Sequence, residues 1–191
     1  MSALFDHEII EQLHASSRSL VYRARAADGA ALIVKSPNQP FPSFQQLAQF
    51  KREHAIALRC AHRGVVRPLA LALHGGRWTM IQEDIGGLAL DKLLRTRLAA
   101  GRAPDQGAFA LDDFFDIALQ LCAALEEVHR QGVIHKDINP SNLVWNGERR
   151  LLQLIDFGIA CELPHESQAL SSPHARSKAR CATWRPSRPG A

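Results

Sequence analysis

The chain has 191 residues, 46% hydrophobic and 22% charged, which is ordinary for a soluble globular protein and enough to bury one sizeable core. Lys and Arg total 23 against 19 Asp and Glu, but five of the basic residues (Arg176, Lys178, Arg180, Arg185 and Arg188) follow Glu166, where no acid occurs. Setting those five aside leaves 18 basic against 19 acidic residues; the basicity belongs to the tail, and with no aromatic ladder or recognition motif beside it nothing points to a nucleic-acid partner.

In chain order, Ser19–Arg25 alternates polar and apolar as a half-buried strand does. Asp28-Gly29 is a tight-turn signal, and Ala31–Lys35 is the returning strand. Pro37 and Pro40 break the pattern before a helix over about 43–60, opened by the capping-box arrangement of Ser43 and Gln46. Val65–Leu73 and Trp78–Glu83 read as a strand pair turned at His74-Gly75-Gly76. Leu90, Leu93, Leu94 and Leu98 share one helical face. Residues 111–130 form the strongest helix, with acids in the first turn, Arg130 near the end and Gly132 beyond it. Its apolar residues run most of the way round, so it should be covered on more than one side. Short strands flank a loop at 133–145, and Asn146-Gly147 turns the chain into Leu151–Ile155.

The longest apolar run, Leu69–Leu73, is far too short to cross a bilayer, and the acids near the N-terminus do not suit a signal peptide. A cytoplasmic location follows as the expectation. Cys60, Cys122, Cys161 and Cys181 are widely separated, which argues against a zinc site or a disulfide framework.

The segment most suited to chemistry is Ile134-His135-Lys136-Asp137-Ile138-Asn139-Pro140-Ser141-Asn142-Leu143-Val144, with Asp156-Phe157-Gly158 nineteen residues after Asp137. It resembles the catalytic loop and metal-binding triplet of eukaryotic-type (Ser/Thr) protein kinases. The resemblance covers about residues 10–170 and is narrower still to the N-terminal kinase segment of large bacterial signalling hybrids, in which a kinase-like domain precedes an ATPase module and a sensor histidine kinase. It implies an α+β, two-lobed fold: an antiparallel sheet with one helix over residues 1–85, then an incomplete helical lobe over 86–170. It also implies ATP- and Mg2+-dependent phosphoryl transfer to a protein hydroxyl. Asp137 would take the hydroxyl proton, Asn142 and Asp156 would hold Mg2+, and His135 would brace the loop. Lys35, at the end of a strand, would hold the ATP phosphates, positioned by Glu53 in the following helix. Glu83-Asp84-Ile85 resembles the hinge that meets adenine, with Val21, Ile33 and Val144 sandwiching the ring.

Three departures qualify what the resemblance implies. The stretch His14–Ser19, in the place of a glycine-rich loop, has no glycine, leaving serine hydroxyls and Arg18 to contact phosphate. Asn139 stands where Ser/Thr kinases carry a lysine, and Lys136 replaces the usual arginine. Only 33 residues follow Gly158, and they contain no Ala-Pro-Glu. Read in another frame from Ala175, permissible codons for residues 175–191 can encode a string that includes Tyr-Met-Ala-Pro-Glu, so a frameshift near residue 175 is the expected origin of the tail. Two alternative functions stay open: an inactive fragment serving as an ATP-binding or interaction module, and a small-molecule phosphotransferase of the same fold. The apolar faces of helix 111–130 lead to the expectation of aggregation or of a partner that covers the unfinished lobe.

Overall fold

The computed structural model describes residues 3–4, 7–39, 41–74, 76–99 and 109–163. The basic tail and its frameshift reading lie outside these residues, as does Gly75 of the expected glycine turn. The α+β, two-lobed architecture is the one observed. The first lobe is a six-stranded antiparallel sheet made of β1 (Ala3–Leu4), β2 (His7–Ala15), β3 (Ser19–Arg25), β4 (Ala31–Pro37), β5 (Pro68–His74) and β6 (Arg77–Glu83), in the order β1-β2-β3-β4-β6-β5.

Strand periodicity sorts its side chains. Ala24, Leu32, Val34 and Ile81 make a small core on one face. The register Val21↔Lys35, Ile33↔Gln82 and Lys35↔Met80 puts the alternate residues together on the other. Helix α1 (Phe44–Arg59) starts as its sequence predicts: the Gln46 N–H donates to Ser43 Oγ at 3.2 Å, and the Ser43 N–H donates to Gln46 Oε1 at 2.8 Å. It buries Phe50, Glu53, Ile56 and Ala57, a single face that carries one acid.

β2 has no counterpart in the sequence reading. Register shifts between Ile9 and Glu11 and between Gln12 and His14 break its alternation. The expected strand at Val65 also begins later, at Pro68. Val65 instead forms a parallel bridge with Leu154, the Val66 N–H donates to the Leu154 carbonyl at 2.9 Å, and the Leu154 N–H donates to the Gly64 carbonyl at 2.8 Å. These bonds staple the segment ahead of β5 to the second lobe.

That lobe runs through β7 (Leu88–Ala89), α2 (Leu90–Ala99), α3 (Leu111–Arg130), β8 (Val133–Ile134), a 3-10 turn (Pro140–Asn142), β9 (Leu143–Asn146), β10 (Leu151–Leu154) and β11 (Cys161–Glu162). β9 lies between β10 and β7, and β11 pairs with β8. Its core joins Ile117, Ala124 and Val128 of α3 to Val133, Leu143, Trp145, Leu152, Leu154 and Phe157. On other faces α3 exposes Leu111, Phe114, Phe115 and Leu119, in line with its apolar circumference. The turn after β9 spans four residues rather than two, with Arg150 in the left-handed region and its guanidinium on Asp113 and Asp116.

His135 sets the loop between β8 and the 3-10 turn. It is 1% exposed and meets the Phe157 ring edge-on at 4.8 Å. Its Nδ1 accepts the Asp137 N–H at 3.2 Å, so the proton sits on Nε2, which donates to the Ile155 carbonyl at 3.0 Å. Burial pushes the imidazole below its ordinary value of 6.5, against the Ile155 carbonyl and the two nearby aspartates.

Two outcomes are expected. Leu154→Ala, at a fully buried position, costs about 2–5 kcal/mol in denaturant unfolding, whereas Leu69→Ala, at a half-exposed one, stays within about 0.5 kcal/mol. Because the folded pKa of His135 is depressed, its contribution to stability is complete above 6.5 and is lost as pH falls below it. The melting temperature therefore drops between about pH 7.5 and 5, and His135→Phe narrows that drop. An equal drop in both proteins would show that His135 does not titrate on unfolding.

Candidate active site

Lys35 is only 7% exposed, although it ends in an ammonium. A charge taken from water needs partners, and two elements supply them. Lys35 Nζ donates to Glu53 Oε1 of α1 at 2.5 Å and lies 3.2 Å from Asp156 Oδ1. Burial lowers the ammonium pKa, but the two carboxylates outweigh it and hold Lys35 above its usual value. Burial likewise opposes ionisation of Asp156, yet Lys35 and the Gly158 N–H keep its carboxyl below the usual range.

The segment carrying Asp156 is held from both sides. Phe157 is 2% exposed in the second-lobe core. Asp156 has φ +64°, and the Gly158 N–H donates back to Asp156 Oδ1 at 3.0 Å. A Cβ at Gly158 would lie 2.9 Å from that oxygen, so a side chain here would push against the carboxylate that meets Lys35. From α1, Gln49 Nε2 donates to the Gly158 carbonyl at 2.5 Å, while Arg59 at 2.6 Å and Arg52 at 3.5 Å grip Glu162 of β11. The helix that presents Glu53 is thus fastened to the chain on the far side of Asp156.

Asp137 is bracketed by two amides. Asn142 Nδ2 donates to Asp137 Oδ2 and to its carbonyl, both at 2.9 Å. Asn139 Nδ2 donates to Asp137 Oδ1 at 2.9 Å, and its own Oδ1 accepts from the Ser141 N–H at 2.9 Å and the Ser141 hydroxyl at 2.5 Å. Asn139 therefore orients Asp137 from the position where the resemblance leads one to expect a lysine. With its amide hydrogens committed to Asp137, Asn142 keeps its Oδ1 as an acceptor for something else.

The two acids open onto a cleft of two chambers that meet at Lys35, Glu53 and Asp156. The inner one, about 220 Å3, is lined by Val21, Ile33, Glu83, Ile85, Asn142 and Val144 among others. Asp137 faces the outer one, about 490 Å3, with Ser16, Arg18 and Gly158. Every residue to which the resemblance assigns a catalytic, nucleotide or metal role thus borders one or both chambers, whereas His135, expected to brace the loop, lines neither. Sequence reading missed the groups that hold the hinge-like segment in place. Arg23 Nε donates to Asp84 Oδ2 at 2.6 Å and its Nη2 to the Gly87 carbonyl at 2.9 Å, while Asn146 Nδ2 donates to the Ile85 carbonyl at 2.6 Å. A Cβ on Gly87 would come within 2.7 Å of the Trp145 carbonyl, so Gly87 lets the hinge press against β9. The Gly86-Gly87 pair was a visible signal for that approach, whereas Arg23 and Asp84 are 61 positions apart and gave none. Gln82 and Asp91 also line the inner chamber, and Asp91 Oδ1 is buried there without a hydrogen-bond partner among the described residues.

Comparison with known proteins agrees with this geometry. The protein kinase domain matches residues 8–184. The chain is 26% identical over 156 residues to a probable serine/threonine-protein kinase of Clostridium acetobutylicum, covering 81% of this chain and 22% of that protein. It is 23% identical over 175 residues to a similarly described protein of Clostridium perfringens, covering 88% of this chain and 24% of the relative. Against mouse ribosomal protein S6 kinase alpha-2 the identity is 26% over 177 residues, covering 87% and 21% of the two chains. The chain thus spans under a quarter of the length of these relatives. With the domain matched over residues 8–184 and the lysine, acids and amides gathered on one cleft, this chain belongs to the protein kinase domain family.

Proposed function

We propose that the chain binds ATP with Mg2+ in the two-chamber cleft and passes the terminal phosphoryl group to a serine or threonine hydroxyl of a protein. The observation that carries this reading is the convergence of Asp137, Asn142 and Asp156 with the Lys35–Glu53 pair on one cleft. The inner chamber takes adenine between Val21 and Ile33 above and Val144 below, with the Glu83–Ile85 backbone at its edge. Lys35 holds the phosphates, and Glu53 keeps its ammonium in place.

Mg2+ suits the oxygens on offer. Asn142 Oδ1 and the Asp156 carboxylate are hard ligands, and among the described residues no three His, Cys, Asp or Glu side chains form a cage. Two protein ligands with the remainder from phosphate and water is the usual arrangement for this ion. When bound, Mg2+ neutralises charge on the phosphate oxygens. Asp137, oriented by Asn139 and Asn142, accepts the proton of the acceptor hydroxyl as its oxygen bonds to the γ-phosphorus. The bond from that phosphorus to the bridging oxygen breaks, and ADP leaves.

Residues 1–85 serve in this reading as the nucleotide-clamping lobe and 86–170 as the lobe that carries Asp137 and Asp156. The exposed Leu111, Phe114, Phe115 and Leu119 of α3 support a covering partner or further chain on that side. No helix among the described residues is long and apolar enough to cross a membrane. The clostridial relatives, described as probable serine/threonine-protein kinases, favour a role in bacterial signalling. A second reading, a nucleotide-binding module without transfer, draws support from the glycine-free turn and from Asn139.

Calorimetry and hydrolysis separate the two. Mg-ATP binds saturably, and Lys35→Ala or Asp156→Ala weakens it by at least about tenfold, a modest share of what unpairing a buried charge costs. Asp137→Asn still binds, but its ATP hydrolysis falls on the order of 100-fold. No binding by the folded wild-type chain would contradict the proposal, and hydrolysis that is indifferent to Asp137→Asn would favour the binding module.

A further inference from the structure

The β2–β3 turn has committed several of its backbone groups to local bonds. Ser16 Oγ accepts the N–H groups of Arg18 at 3.2 Å and Ser19 at 3.1 Å, and the Ser16 N–H donates to the Ser19 carbonyl at 3.0 Å. From β4's end, Asn38 Nδ2 donates to the Ser16 carbonyl at 2.5 Å, and the Asn38 N–H donates to the Arg18 carbonyl at 3.0 Å. A glycine-rich turn can aim a run of free amides at phosphate oxygens. Here the amides of Arg18 and Ser19 are already taken, and the turn is tied to the strand that carries Lys35.

The charge balance of the outer chamber shows what is then needed. Glu53, Asp137 and Asp156 line it, and the Lys35 ammonium is engaged by the first and last of them. The loop position that holds a lysine in Ser/Thr kinases holds Asn139, committed to Asp137 and Ser141. Arg18 is the remaining Lys or Arg on the chamber wall; it is exposed, and no carboxylate pairs with it among the described residues.

We infer that Arg18 is the residue that binds the terminal phosphate of the nucleotide, its guanidinium replacing both the amide cradle and the loop lysine. This rests on the nucleotide reading of the cleft. The planar fork suits two phosphate oxygens at once, and the internally bonded turn holds its root, so little order is lost on binding. Because Arg18 reaches the outer chamber and not the inner one, it discriminates by phosphate number and is indifferent to the base.

The test is calorimetry with the magnesium complexes of the β,γ-imido analogue of ATP, ADP and AMP on the full chain. Arg18→Ala weakens the triphosphate analogue on the order of tenfold, leaves AMP unchanged and brings the triphosphate and diphosphate affinities together. Arg18→Lys recovers part of the loss, and Arg25→Ala, at an exposed position of β3 outside both chambers, changes nothing. Matching melting curves for Arg18→Ala and the wild type show that the fold is intact. If the wild type prefers the triphosphate and Arg18→Ala keeps that preference, the inference fails while the nucleotide reading stands. If the wild type binds none of the three, both fail.

Discussion

A lysine ammonium buried to 7% exposure has no stable place in an apolar interior unless acids meet it there. In this chain the acids come from α1 and from the segment after β10, so the position of each is bound to the other through Lys35. Much of the surrounding structure serves that meeting. The β4 register turns Lys35 toward the cleft and away from the core of Leu32 and Val34. The capping box starts α1 where its buried face carries Glu53. Phe157 anchors the next residue in the second-lobe core, and the left-handed backbone at Asp156 turns the carboxylate out toward the ammonium.

The ion pairs organise more than they stabilise. Buried pairs of this kind recover little beyond their desolvation, and the solvent-exposed Glu162 contacts with Arg52 and Arg59 are screened and contribute little. Holding the lobes together falls instead to the apolar core and to the backbone bonds between Gly64–Val66 and Leu154. The arrangement leaves the polar groups of the cleft with work unspent: Asp137 held between two amides and, among the described residues, Asn142 with a free oxygen and Arg18 without a carboxylate. A site kept only for stability would have satisfied these groups internally.

Most of the site was legible in the sequence because its residues sit in short local patterns. His135 to Asn142 lies within one loop, Asp156-Phe157-Gly158 is contiguous, and Lys35 ends a strand whose alternation is plain. The capped helix announced itself through Ser43 and Gln46. What escaped depends on register and on distance. β2 is irregular through its bulges, β7, β8 and β11 are two residues each and too short for any period, and Val65 pairs across the lobes where its composition suggested a hairpin. The Arg23–Asp84 pair and the Asn146 contact to Ile85 join residues that only the folded sheet brings together. Asn139 stands where a lysine is expected, and its bonds to Asp137 give it a positioning role that no spacing could reveal.

In the proposed reading Asn142 and Asp156 would flank a divalent ion beside a nucleotide held by Lys35. The most direct measurement is the anomalous scattering of Mn2+ in crystals grown with the β,γ-imido analogue of ATP. The expected result is a peak between Asn142 Oδ1 and the Asp156 carboxylate, with phosphate density against Lys35. Nucleotide bound elsewhere, or a peak away from these two residues, would contradict it.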